Sequence, residues 1–407
     1  MNVEAKIEQP ADREDRVRTW IRALTELPDR FAGTPVERMA GERIAEWMRG
    51  LGARNVALEP TPSAPRAGLV LALHTGLALF GLWRGGALGA LLTALALWSF
   101  RGDQRHRRPR LSKLLPATDS VNVVGRLGAA AEPARRVVLS AHIDSAQAGW
   151  LFSRALADRF AALAGGRARA DRPPPGPFSM LETLLIAAVV IAIAAWMGAH
   201  GSLFGILRVV VGVGLAVVCA ATLQWAFSSP TPGANDNASA VAAMLTCAER
   251  LAPQLPGDVE LWVVGTGAEE VGCCGMHGFV TRHDDWPIDK TLFVNFECVG
   301  GGALHYIRSE GLLAKAHFPA QLNDLARRIA ATGAYGEVTP TDLLAATDGH
   351  VPALRGYPTL SLISLEANGV PRNYHRVEDT VDAIDPAMVV RAADFGAAVA
   401  SAALRSD

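Results

Sequence analysis

The stretch Gly267-Ala268-Glu269-Glu270-Val271-Gly272 follows an apolar run, residues 259–264, that has the composition of a buried strand, and its glycines bound a turn. The turn would therefore hold two adjacent carboxylates just beyond the end of a strand. Neighbouring acids repel, so either the pair is a solvated acidic loop or a local cation holds it. A divalent metal satisfies the second reading if one glutamate ligates it while the other moves protons to and from an attacking water.

The surroundings of this turn favour the second reading. Strand patterns recur at residues 55–59, 120–125, 136–141, 291–296, 303–307 and 359–365. Helical spacing of apolar residues runs over 12–27, with Trp20, Leu24 and Leu27 on one face, and over 35–51, with Met39, Ile44 and Met48. Pro35 opens the second of these and Gly52 closes it. Residues 238–251, 322–332 and 386–404 also read as helices. Strands alternating with helices predict an α/β sheet covered on both faces, with chemistry at the carboxyl ends of strands.

At those ends stand His142, Glu297 and, in the loop after a later strand, His375; Asp236 sits at the mouth of a helix. Singly they read as a core histidine, a strand-end acid, a loop residue and an N-cap. Together with Glu270 they are two imidazoles and three carboxylates, with Glu269 to spare. Two zinc ions about 3.5–4 Å apart need that set: one histidine and one terminal carboxylate each, and one carboxylate between them. Asp144, two residues beyond His142, is placed to fix the imidazole tautomer.

Composition narrows the partners. The 407 residues are half apolar, and 39 basic against 40 acidic side chains leave no global field to suggest nucleic acid. The five cysteines, Cys219, Cys247, Cys273, Cys274 and Cys298, lack a disulfide or zinc-finger spacing and fit a reducing compartment. Residues 1–10 carry no signal-peptide hydrophobic region.

Residues 68–100 are uncharged apart from Arg84, which leaves two apolar stretches of 16 residues each. Both are short of the roughly 20 residues of a span, so buried helices or a shallow hairpin stand beside two crossings anchored by Trp83 and Trp98. Residues 179–199 and 209–227 are long enough, and Gly212 and Gly214 suit close helix packing. Four crossings form two hairpins and return every soluble piece to one side. Arg101, Arg105, Arg107, Arg108, Arg110 and Lys113 follow the first hairpin, and Arg154, Arg159, Arg167, Arg169 and Arg172 precede the second, whereas the turns hold only Arg84 and Arg208. Basic residues concentrate on the cytoplasmic side, which predicts an integral membrane protein whose soluble domain faces the cytosol.

The motifs His142-Ile-Asp144, Gly233-Ala-Asn-Asp236-Asn-Ala-Ser239, Glu269-Glu270-Val-Gly272, Asn295-Phe-Glu297, Thr347-Asp348-Gly-His350 and Tyr374-His375-Arg-Val-Glu-Asp-Thr380, in this order, resemble the co-catalytic di-zinc exopeptidases. That family includes leucyl-type aminopeptidases, glutamate carboxypeptidase and glutaminyl cyclase. Ala32-Gly33-Thr34-Pro35 resembles its opening.

The resemblance implies a mixed, mainly parallel sheet sandwiched by helices, and two Zn2+ ions per chain. His142 and Glu297 would hold one ion, Glu270 and His375 the other, and Asp236 would bridge them. Glu269 would be the general base and acid, and Tyr374 would donate to the developing oxyanion. Asp348 and His350 match a loop near the site and are given no chemistry. The implied activity is hydrolysis of a terminal peptide bond or small amide, with an aminopeptidase foremost. A carboxypeptidase or aminoacylase-like hydrolase, a glutaminyl cyclase and a non-catalytic membrane scaffold are the alternatives.

Two departures stand out. Glu297 replaces the aspartate usual in the aminopeptidases, which opens the substrate class. The interval from His142 to Asp236, normally short, holds a proline-rich linker, residues 172–177, and the second hairpin. The expected organisation is a catalytic domain in three pieces, 1–66, 101–178 and 228–407, with hairpins at 67–100 and 179–227. Oligomeric state does not follow from residue types.

Overall fold

The structure, a computed structural model, describes residues 10–104, 111–128, 133–163, 177–311 and 315–405. The polar N-terminus, the basic residues Arg105, Arg107, Arg108, Arg110, Arg167, Arg169 and Arg172, and all of the proline-rich linker but Pro177 lie outside the described residues.

In chain order the main elements are α1 (Pro10–Thr25), α2 (Pro35–Gly50), β1 (Arg54–Thr61), α3 (Ala67–Arg84), α4 (Gly86–Gln104), β2 (Ser120–Leu127), β3 (Arg135–His142), α5 (Arg154–Leu163), α6 (Pro177–Trp196) and α7 (Ser202–Ala226). They continue with α8 (Ala240–Leu251), β4 (Val259–Thr266), α9 (Cys274–Arg282), β5 (Thr291–Glu297), β6 (Ala303–Glu310), β7 (Ala316–His317), α10 (Ala320–Ala330), β8 (Val338–Asp342), α11 (His350–Leu354), β9 (Thr359–Leu365) and α12 (Pro386–Ala403). One sheet runs β1-β2-β4-β3-β5-β9-β6-β7, with β8 beside β6. The four central strands, β4, β3, β5 and β9, are parallel to one another, and the flanking β1, β2 and β6 pair antiparallel.

The sheet is apolar on both faces because each face is covered. Val137, Leu139, Leu261, Val263 and Phe296 point into a core shared with α1, α2, α8 and α12. The alternate residues Val138, Trp262, Val264 and Phe293 pack with Met276, Phe279 and Val280 of α9 and Val351 of α11. This period-2 alternation buries successive residues on opposite sides, which is why the strands read as continuous apolar runs. The helix starts are chemically marked: Thr34 caps α2 by accepting from the Glu37 N–H, and Asp385 caps α12. Met39, expected on the buried face of α2, is instead exposed, whereas Ile44 and Met48 are buried.

α3, α4, α6 and α7 form a bundle around Leu71, Ala78, Leu82, Ala96, Phe100, Leu185 and Leu215. Of the two glycines expected at close contacts, Gly214 makes one, since a Cβ there would lie 3.1 Å from Leu184 Cδ2, whereas Gly212 has only Leu79 Cδ1 at 4.0 Å; other glycines come closer still. A Cβ on Gly68 would come within 2.5 Å of the Thr222 carbonyl oxygen, and one on Gly89 within 2.4 Å of that of Gly81. Of the four expected crossings, α3 and α7, with 18 and 25 residues, are long and apolar enough to cross a bilayer, by length and composition alone. α6 is apolar over the shorter Met180–Trp196, and α4, which ends in Arg101 and Asp103, is not among the helices that reach that measure. Only 11% of the apolar window of α7 is buried, so Val209, Val210, Val213 and Val217 point outward.

Candidate metal centre

Parallel pairing in register aligns the strand ends that carry the site. His142, the last residue of β3, lies opposite Thr266 of β4, and Glu297, the last of β5, opposite Ile363 of β9. Glu269 and Glu270 follow β4, His375 lies in the loop after β9, and Asp236 sits in the kinked segment that leads into α8. Gly233 permits that approach: its φ is +65°, and a Cβ there would meet the Asp236 carbonyl oxygen at 2.6 Å.

All five residues expected to hold metal converge. His142 Nε2 is 3.2 Å from Asp236 Oδ1 and 3.2 Å from Glu297 Oε1, whereas His375 Nε2 is 3.3 Å from Asp236 Oδ2 and 3.2 Å from Glu270 Oε2. Asp236 thus turns one oxygen to each imidazole. Ligand atoms of His142, Asp236 and Glu297 lie within 4.8 Å of one another, as do those of Asp236, Glu270 and His375. Glu269 Oε2 is 3.9 Å from His142 Nε2. The extra methylene of Glu297, relative to aspartate, does not keep its carboxylate from the cluster. Tyr374 stacks on His375 with ring centroids 3.9 Å apart.

The donor set fits a divalent cation. Glu270 Oε1 is buried without a hydrogen-bond partner, and Asp236 Oδ2 has only the His375 imidazole beside it, out of line for a good hydrogen bond; such groups are costly unless an ion takes up their lone pairs. The electrostatics agree. Burial pushes Glu270 up to about 7, with Asp236 adding to the rise against the pull of His375. Glu269 is raised well above the usual carboxylate range by burial, and Glu297 and Glu270 reinforce the shift. Burial would lower His375, but Glu270 and Asp236 outweigh it and lift the imidazole to about 10. The side chains alone are short of positive charge, so the histidines retain protons; a dication among them would supply that charge and favour ionised carboxylates.

A supporting layer holds this geometry. The Asp144 carboxylate accepts from the Glu269 and Glu270 N–H groups, both at 3.1 Å, and so fixes the acidic turn. Toward His142 Nδ1 the nearer Asp144 atom is its backbone carbonyl oxygen at 3.1 Å, with carboxylate Oδ1 at 3.4 Å. Glu37, Asp379 and Arg30 were not singled out by sequence reasoning. Glu37 accepts from the Gly33 and Ala268 N–H groups and from the Ser120 hydroxyl, tying α2 to the turn. Asp379 accepts from the N–H groups of Asn235 and Asp236 at 2.8 and 3.0 Å. Buried Arg30 donates to the carbonyls of Leu24, Ile143, Pro232 and Gly233. Asp379 stood within a quoted motif; Glu37 and Arg30 lacked a local signal because their partners are distant in sequence. Asp348 bonds the Thr266 hydroxyl beneath the cluster.

Solved structures with this fold include a zinc aminopeptidase from Bacillus subtilis, at 16% identity, TM-score 0.55 and coverage of 96% of this chain and 95% of that one. An aminopeptidase from Aneurinibacillus sp. strain AM-1 matches at 15% identity and TM-score 0.54, over 95% and 93% of the two chains. A glutaminyl cyclase from Bacteroides thetaiotaomicron matches at 14% and 0.52, over 95% and 96%. At these identities the likeness is one of fold. No curated protein sequence matches. The sequence itself matches the model of peptidase family M28 over residues 219–400. The matched segment, less than half of the chain, resembles the M28 peptidases and carries Asp236, Glu269, Glu270, Glu297 and His375, and with the fold it supports a zinc metallopeptidase, a hydrolase of peptide bonds.

Proposed function

We propose that the protein is a membrane-anchored exopeptidase, foremost an aminopeptidase, that holds two zinc ions. His142, Asp236 and Glu297 would bind one, Asp236, Glu270 and His375 the other. The observation that carries this reading is the pair of three-residue groups that share Asp236, one oxygen toward each. When bound, zinc supplies Lewis-acid polarisation of the scissile carbonyl and acidifies the attacking water. Glu269, beside both groups and lining the same cavity, takes the proton from that water and delivers it to the leaving amine. Asp144 positions Glu269 and Glu270 through their backbone, and Tyr374, against His375, is the candidate donor to the developing oxyanion.

Metal content and turnover measured on one detergent-purified sample test the reading. The substrates are aminoacyl anilides, N-acyl amino acids and peptides with N-terminal glutamine. Two zinc ions and anilide hydrolysis are expected; a protein without zinc would be a scaffold, and cyclisation in place of hydrolysis would make it a cyclase. Glu297→Ala should bring zinc toward one per chain and depress hydrolysis with it. Unchanged stoichiometry would remove Glu297 from the ligand set.

The anchor is the bundle. Among the described residues 26 large apolar side chains are exposed, and 20 of them lie on its helices and their turns, far more than a water-facing surface tolerates in one patch. Arg66 and Trp225, at the start of α3 and the end of α7, contact the same region, and Arg101 pairs with Glu182 at 2.8 Å, so all four links to the catalytic domain leave from one end. Arg84 and Arg208 mark the other. The excess of basic residues in the sequence segments that follow the first hairpin and precede the second supports a catalytic domain on the cytosolic side. Reporters at the C-terminus and at Ala199 should report opposite sides, cytosolic for the first. An exported C-terminus would reverse the orientation, and two cytosolic reports would remove the second hairpin from the spanning set.

A further inference from the structure

The cavity lined by Glu269, Glu270 and His375 extends away from the cluster onto the helix bundle and has a volume of about 260 Å³. Its wall on the bundle side is apolar and made by Ala67, Val70 and Leu71 of α3, Trp225 of α7 and Phe152, the last two lying beside His375. The polar residues on that side, Asp103 and Ser112, hydrogen-bond to each other, and Asp103 also meets His74 Nε2 at 3.4 Å. The protein itself engages those groups, so the surface left to a ligand there is mainly hydrocarbon.

The bundle is fixed against the site. Trp225 Nε1 donates to the Gln147 carbonyl at 2.9 Å, Arg66 donates to that of Ala226 at 2.8 Å, and the Trp150 N–H donates to Gln224 Oε1 at 3.0 Å. The Phe152 ring lies between the two parts, with its centroid 5.1 Å from Trp225 and 4.4 Å from the candidate ligand His375.

We propose that the bundle forms the specificity subsite, an apolar pocket for the side chain of the terminal residue of a peptide, with Val70 setting its depth. The inference rests on the peptidase reading and adds the part of the chain that selects the substrate and the class selected. A volume below the roughly 300 Å³ at which small-molecule pockets begin suits one large apolar side chain rather than several residues. Val70 is suited to a test because it is half-buried and its tie to His74 runs through its backbone carbonyl, which a side-chain change leaves in place.

The test compares leucine and alanine, as possible products, by calorimetric binding to the zinc-loaded full chain, beside steady-state kinetics on leucyl, phenylalanyl and alanyl anilides. The parent should bind leucine at least about tenfold more tightly than alanine, as filling an apolar pocket requires. Val70→Phe should abolish that preference and raise KM for the leucyl and phenylalanyl substrates far more than for the alanyl one, with zinc content held. Val70→Met, a smaller intrusion, gives the same comparison should phenylalanine not be accommodated. Equal binding of leucine and alanine by the parent, or a uniform change across substrates in the variants, would overturn the subsite. Leucine preference without hydrolysis of any substrate would keep the subsite and remove the peptidase reading.

Discussion

Glu269→Gln is expected to lower kcat by roughly two to four orders of magnitude, the range that a positioned general acid–base supplies, while zinc content stays near that of the parent. Glutamine preserves the size of the side chain and leaves the backbone bond to Asp144 intact, so what is lost is the ability to take up and release a proton. Glu270→Gln differs in kind. Glu270 Oε2 faces His375 Nε2, so weakening that carboxylate should release metal from the His375 group as well as activity. Turnover and zinc measured on the same samples separate the two. Substantial activity in the Glu269 variant would remove the proposed proton path, and equal metal loss in both would make Glu269 a ligand.

Asp236→Ala should be the most damaging single change to the centre. Its two oxygens face the two imidazoles at 3.2 and 3.3 Å, so one substitution opens both groups at once. Zinc should fall toward zero per chain and hydrolysis to background. A second readout is independent of turnover. Ligand that binds only the folded state stabilises it by about 2.7 kcal/mol at a free concentration 100 times the dissociation constant. The parent's melting temperature should therefore rise on zinc addition and that of the Asp236 variant should not. Retention of one tightly bound zinc by Asp236→Ala would contradict a shared carboxylate.

The supporting residues explain why such substitutions must be read with metal content beside activity. Burial and the nearby Asp144 hold Glu37 up to about 8, and burial holds Asp379 up to about 7 even though each accepts backbone N–H bonds. Both groups sit behind the cluster, one fixing the Glu269–Glu270 turn and the other the Asp236 segment. A change at either moves ligands without touching metal, so lost turnover alone would not distinguish chemistry from position.

Much of this site was legible in the linear chain because each candidate ligand lies where a local pattern changes. An apolar strand run ends at His142, at the Glu269–Glu270 turn and at Glu297, and such endings align at one edge of any parallel sheet. The strands β1 to β6 and β9 announced themselves in the same way, through apolar runs bounded by turn residues. β7 and β8 did not. β7 has two residues, and β8 holds Thr339, Pro340, Thr341 and Asp342, polar or backbone-restricted residues whose pairing depends on β6 rather than on their own propensity. α9 was hidden by Gly275 and Gly278, whose lack of side chains permits close approach to Gly267 and Thr61 but weakens any helical signal.

The order of motifs thus determined the chemical class, and the charge and length of the apolar segments determined where a bilayer could lie. Only the tertiary structure decided that Glu297 reaches His142 despite its longer side chain, that Glu37 and Asp379 hold the loops that carry the candidate ligands, and that α3 and α7 wall the cavity beside those residues. The physical reason is range. Strand ends, caps and hydropathy act over a few neighbouring residues and leave a mark in sequence, whereas contacts such as Glu37 with Ala268 or Trp225 with Phe152 join distant segments that only the closed fold brings together.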